Sequence, residues 1–133
     1  MSEGHVNAVC TFTVGKPMPG AAILDGVLEF KADEDKVLGT GTLTQAVNPP
    51  INSDEAFDGV VHCTGAGKTE MLLSLTGSAL PPTIGAPHIT QMLIAIDGMW
   101  GAGGHATYTY ASGSSFRTVK DAPVTINWLK KPH

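Results

Sequence analysis

The segment His62-Cys63-Thr64-Gly65-Ala66-Gly67-Lys68-Thr69-Glu70 is the first place where residue types and spacing suggest chemistry, because Gly67-Lys68-Thr69 matches the tail of a phosphate-binding loop. That loop needs glycine five positions before Gly67, and His62 stands there. It also needs a following helix, whose N-terminal amides hold the phosphates. Met71, Leu73 and Leu75 instead alternate as in a strand, and Gly77 soon follows. The segment therefore reads as a β-hairpin, with Phe57 to Thr64 as one arm, Gly-Ala-Gly-Lys as the connection and Thr69 to Thr76 as the other arm. No nucleotide is expected.

The five histidines, His5, His62, His88, His105 and His133, lack the close ligand spacing of a metal site, and His62 and Cys63 point to opposite faces of a strand. No metal or other cofactor is expected. His5, His62 and His105 share parity with threonines and read as solvated. His88 shares parity with Met92, Ile94 and Ile96 and stands at a strand mouth, where it either ties local backbone or handles a ligand. Ser114-Ser115 lies in a loop-like Ala-Ser-Gly-Ser-Ser run without a nucleophile elbow. The carboxylates cluster at Asp33-Glu34-Asp35 and Asp54-Glu55, where turn chemistry is the simpler reading. Threonine rows such as Thr40/Thr42/Thr44 suggest an ordered-water, ice-binding face, but they do not recur at fixed spacing, and threonine is a common outer residue of strands.

The best candidates for ligand contact are polar or aromatic. Trp100, on the glycine-rich stretch Gly98 to Gly104, either stacks on a ligand or folds back as a plug over a barrel end. Gln45 and Asn48 have amides that both donate and accept; they either tie the Asn48-Pro49-Pro50 corner or face a pocket beside it. Tyr108, with Met71, Met92 and Met99, is a candidate cavity lining.

The elements that must position these residues have a period of two. Val6, Ala8, Cys10, Phe12 and Val14 alternate with more polar neighbours, as do Leu24 to Phe30, Val37 to Val47, Phe57 to Cys63, Met71 to Leu75, Thr107 to Tyr110 and Val124 to Trp128, while His88 to Asp97 reads as a mostly buried strand. Residues 1–133 are thus expected to form a single all-β domain, a mostly antiparallel β-sandwich or closed β-barrel of seven to nine strands. Asn48-Pro49-Pro50 and Leu80-Pro81-Pro82 are stiff corners, either of which can hold a cis bond, and Gly101 to Gly104 is the expected mobile loop.

Composition narrows the function classes. The chain is 42% hydrophobic and only 15% charged, which argues for a packed core and a surface partly covered by another copy. Eight Lys and Arg against twelve Asp and Glu give no electrostatic footprint for nucleic acid. Met1 to His5 lacks the basic start of a secretory signal, and Met92 to Ile96, the longest apolar run, is too short to cross a membrane. Cys10 and Cys63 read as two reduced, buried thiols in a cytoplasmic protein.

Gly41-Thr42-Leu43-Thr44-Gln45-Ala46-Val47-Asn48-Pro49-Pro50, followed by the Phe57 to His62 strand and Leu75-Thr76-Gly77, resembles a family of small bacterial proteins known only as a domain of unknown function. The resemblance runs from about Gly39 to Gly77, with a weaker match at Ala106 to Tyr110. It implies a compact bacterial β-domain with no established activity and no catalytic residues to carry over. Two function classes follow. The first is a non-enzymatic binding or assembly module acting through a homotypic or partner interface. The second is a small barrel that binds, with or without cyclising or isomerising it, a hydrophobic metabolite.

Overall fold

The computed structural model describes residues 7–16, 18–31, 34–46, 51–63 and 69–131. The strands are β1 (Ala8–Val14), β2 (Ile23–Lys31), β3 (Lys36–Gln45), β4 (Ile51–Cys63), β5 (Thr69–Ala79), β6 (His88–Asp97), β7 (Gly103–Ser112) and β8 (Ser115–Lys130). Each pairs antiparallel with the next, and β8 pairs back onto β1, so the sheet is a closed barrel and not a sandwich. Closure leaves no sheet edge, and eight strands give an interior that side chains can just fill.

Alternation places Cys10, Phe12, Leu24, Leu28, Leu73, Leu75, Met92 and Ile94 inside the barrel, all buried. The outward residues of the same strands are mostly polar or short, with Val27, Leu72 and Leu93 as apolar exceptions. Two of the outer threonines bond an aspartate on the neighbouring strand, Thr13 to Asp25 at 2.6 Å and Thr42 to Asp54 at 2.7 Å. Such cross-strand pairs stabilise the exposed face of a sheet.

Antiparallel order gives the barrel two distinct ends. At one end, the loop between β6 and β7 carries Trp100 back against Phe30 and Trp128, with ring centroids 5.4 Å and 5.1 Å from Trp100 respectively. Trp100 has φ +54°, and its amide donates to Met71 Sδ at 3.2 Å. Edge-on aromatic contacts of this kind add to simple area burial. The other end is the mouth, where β3, β7 and β8 bring Gln45, Tyr108, Tyr110 and Arg117 together.

Several expectations change. β4 is longer than its alternation suggests: Ile51 to Ala56 is strand, so Asp54 and Glu55 are paired residues and not a turn. The glycine-rich stretch is tied down. Gly101 carbonyl accepts from Trp128 Nε1 at 2.8 Å, Ala102 carbonyl accepts from the Ile126 amide at 2.8 Å, and Gly103 already begins β7. A Cβ on Gly101 would fall 1.9 Å from the Asp97 carbonyl oxygen, so glycine permits a close backbone approach there and not mobility. Cys10 is buried, but Cys63 is exposed, because β4 ends there at the barrel rim. Burial pushes the Cys10 thiol up to about 12. The Leu80–Pro81 bond is cis. The Asn48-Pro49-Pro50 corner and the Gly65 to Lys68 connection lie outside the described residues, although β4 and β5 pair as the hairpin required, down to Cys63 opposite Met71.

Candidate functional site

The mouth gathers the polar groups of an otherwise apolar interior. Gln45, the last residue of β3, donates through Nε2 to the Gly20 carbonyl at 2.9 Å and accepts at Oε1 from Arg117 Nη1 at 3.0 Å. Arg117 stands opposite Tyr110 in the β7–β8 ladder and so shares its inward face. The guanidinium is exposed at the rim, and its recorded partner is a neutral amide.

Beneath it, Tyr108 is 2% exposed, and its hydroxyl is buried without a hydrogen-bond partner in the described structure. Burial and the neighbouring Glu55 carboxylate raise the phenol above its ordinary value, and Arg117 opposes them. A buried hydroxyl without a partner forfeits about 1–3 kcal/mol of desolvation. Ala22, Leu43, Ile51 and Val119 complete the wall of a cavity of about 10 Å³, close to the space one water needs.

Glu55 is the group that sequence reasoning passed over. Its side chain points inward from β4 and is 0% exposed. The Ile89 amide donates to Oε1, and Ser53 Oγ donates to Oε2 at 3.0 Å. The parity of Phe57 and Val61 already placed Glu55 on the inner face, a signal hidden by reading Asp54-Glu55 as a turn. Burial raises its pKa more than the Ile89 and Ser53 hydrogen bonds and His88 lower it.

This has a testable consequence for stability. With its folded-state pKa above the unfolded value, the folded protein holds the Glu55 proton more tightly than the unfolded chain does. The corresponding stabilisation is full below the ordinary carboxyl value of 4.5 and is lost as pH rises through the folded value. Glu55→Gln keeps an acceptor for Ile89 but removes the titration. The stability of the variant relative to wild type is expected to rise with pH across that window and then level off, as measured by urea midpoints from pH 4 to 9. A difference that does not vary with pH would contradict this.

The remaining candidate residues divide between the two ends. Gln45 and Tyr108 share the mouth cavity. His88 lies within electrostatic reach of Glu55, and its Nδ1 is 2.9 Å from the Ala86 carbonyl, the local backbone tie expected of a strand-edge histidine. Trp100 belongs to the plug at the opposite end and takes no part in the mouth. Asn48 lies outside the described residues. Among the described residues, no three His, Cys, Asp or Glu side chains converge as a metal site, and no helix is long and apolar enough to cross a membrane.

The outer wall is asymmetric in charge. From Met71 to Phe116 the chain has one formal charge, Asp97. This span covers β6, β7 and all of β5 but Thr69 and Glu70, and the registers set Val60, Ser74, Leu93 and Thr107 in one row and His62, Leu72, Ala95 and His105 in the next. Val60 and Leu93 are 40% and 44% exposed. Asp25, Glu29 and Asp54 face solvent on β2 and β4 away from these rows, and Asp58 borders them two residues from Val60.

One family model, described as a domain of unknown function (DUF1842), matches residues 8–116; its span ends one residue before Arg117. No curated protein matches the chain.

Proposed function

The chain belongs to the DUF1842 family, whose description assigns no activity, and from that premise we propose that the protein is a non-enzymatic assembly module whose β5–β7 outer wall packs against a second copy of itself. The observation that carries this reading is the uncharged wall with Val60, Leu72, Leu93 and Ala95 side by side. A closed barrel has no edge strand to extend, so it associates face to face. Copies carrying a net charge of −4 repel least through the neutral face, and one patch meeting itself about a two-fold axis gives a closed dimer. The setting proposed is a reducing bacterial cytoplasm, where the exposed Cys63 stays a thiol. A metabolite-filled barrel has less support, because the mouth cavity holds about 10 Å³ and the centre of the barrel is packed with side chains.

Light scattering coupled to gel filtration tests the assembly reading. Wild type is expected to run as a dimer at micromolar concentration. Leu93→Arg, at an exposed position, should weaken association at least tenfold without changing the melting temperature. A wild-type monomer at all accessible concentrations, or an unchanged dimer in Leu93→Arg, would overturn it.

A further inference from the structure

The mouth has a property that assembly through the wall does not use. The polar side chains that line its cavity can all donate: the Arg117 guanidinium, the Tyr108 and Tyr110 hydroxyls and the Gln45 amide. Among the described residues Arg117 is held by the neutral Gln45 Oε1 alone, and the hydroxyl below it is buried without a partner. The cavity itself is small, about 10 Å³, and lies beside the exposed Arg117. Its gate is an exposed side chain, and exposed side chains change rotamer on a picosecond to nanosecond scale. Gln45 and Ile51 also line a neighbouring open groove of about 470 Å³ that runs along Met18, Ala21 and Ala46 and is largely apolar in lining.

We propose that this mouth binds a small amphipathic monocarboxylate, with the carboxylate displacing Gln45 from Arg117 and accepting from the Tyr108 hydroxyl, and the apolar body lying in the groove over Ile51. Each part of the site selects for that class. A planar guanidinium presents a fork that matches a carboxylate, and such charge-assisted pairs are roughly twice as strong as neutral ones. Tyr108 supplies a donor already desolvated, so its hydroxyl gains a partner on binding at no further desolvation cost. Arg117 is the one cation lining the cavity, and with the Glu55 carboxylate acting on Tyr108 a monoanion leaves less unmatched negative charge than a dianion such as phosphate. Met18, Ala21, Ala46 and Ile51 make the groove mainly apolar, with Thr44 and Asn52 as its polar side chains beyond Gln45, which favours an alkyl or aryl body over a sugar or peptide.

The site stands apart from the wall, and its test reads ligand contact and not oligomer size. Sodium hexanoate is titrated into the full-length protein while the Arg117 Nε–H and the backbone amides of β3 and β8 are followed by NMR. Acetate, 1-hexanol, hexylamine and inorganic phosphate serve as comparison probes. Saturable one-to-one shifts confined to the mouth are expected with hexanoate, and each comparison probe should bind at least tenfold more weakly. Tyr108→Phe and Arg117→Gln should each weaken hexanoate binding at least tenfold. Tyr108→Phe removes only a hydroxyl that lacks a partner, and Arg117 is exposed, so both variants are expected to fold, as judged by unchanged β4–β6 amide shifts. The absence of saturable shifts with hexanoate would overturn the proposal. So would equal binding of 1-hexanol or phosphate, or hexanoate binding that survives intact in both variants.

Discussion

Gly59→Val is expected to leave no folded barrel. Gly59 lies inside β4 opposite Leu75 of β5, and a Cβ built on it falls 1.9 Å from the Ser74 carbonyl oxygen and 2.8 Å from the Leu75 Cα. Both atoms are backbone, so no side chain can turn aside to make room. The β4–β5 ladder must splay, and in a closed barrel a splay at one pairing is transmitted to every other strand. The expected loss exceeds about 4 kcal/mol, a large share of the whole stability of a domain this size. Gly59→Ala should already cost several kcal/mol, because the conflict begins at Cβ. Asp58→Ala, one residue away and facing solvent, should stay within about 0.5 kcal/mol. Circular dichroism and urea titration read all three variants. A Gly59→Val protein melting within a few degrees of wild type would show that the strands have more room than the backbone indicates.

Phe30→Ala is the second large effect. Phe30 is 0% exposed and forms the centre of the plug, touching Trp100 and Trp128 at centroid distances of 5.4 and 5.3 Å. Truncating a buried phenylalanine costs about 3–5 kcal/mol, because the neighbours relax only partly into the space left. Here the neighbours are two indoles, one of them on a loop residue with positive φ, so the loss should also be visible spectroscopically. The expected result is a fall in Tm on the order of 10 °C, with a red shift of tryptophan emission as both rings gain contact with water. Stability within 1 kcal/mol of wild type and unshifted emission would mean that the plug does not depend on its central ring.

Much of this arrangement is legible in the chain because alternation is a local signal. Cys10, Phe12 and Val14, or Leu73 and Leu75, announce an inner face without any knowledge of partners. Glu55 was legible too, since it shares the parity of Phe57 and Val61, but a charged residue in the core is rare enough to be misread as part of a turn. Arg117 was not legible. The β7–β8 register shifts between Ala106 and Tyr108, and Asp121 adopts φ +53°, so the inward positions change from odd numbers at Arg117 and Val119 to even numbers at Ala122, Val124 and Ile126. A bulge that reverses parity within one strand leaves no compositional trace. Closure was hidden for another reason. It rests on pairing between β1 and β8, and a sandwich would give the same alternation. The mouth joins Gln45 to Arg117 across 72 positions of sequence, a distance over which residue spacing says nothing.

That closing seam also sets a problem for the ribosome. Every other pairing joins consecutive strands and can form as soon as the second of the two emerges. The seam pairs Val9 with Lys130, so β1 must wait until every strand between it and β8 has been translated. At usual rates of 5–20 residues per second the wait is on the order of ten seconds. Throughout it the nascent protein is an open sheet with a raw edge at β1 and another at the newest strand, each able to recruit a strand from a neighbouring chain on the same message. Slow decoding of the last sixteen-residue strand would prolong this exposure. The demand this fold makes on a cell's chaperones therefore falls between the emergence of β1 and that of β8.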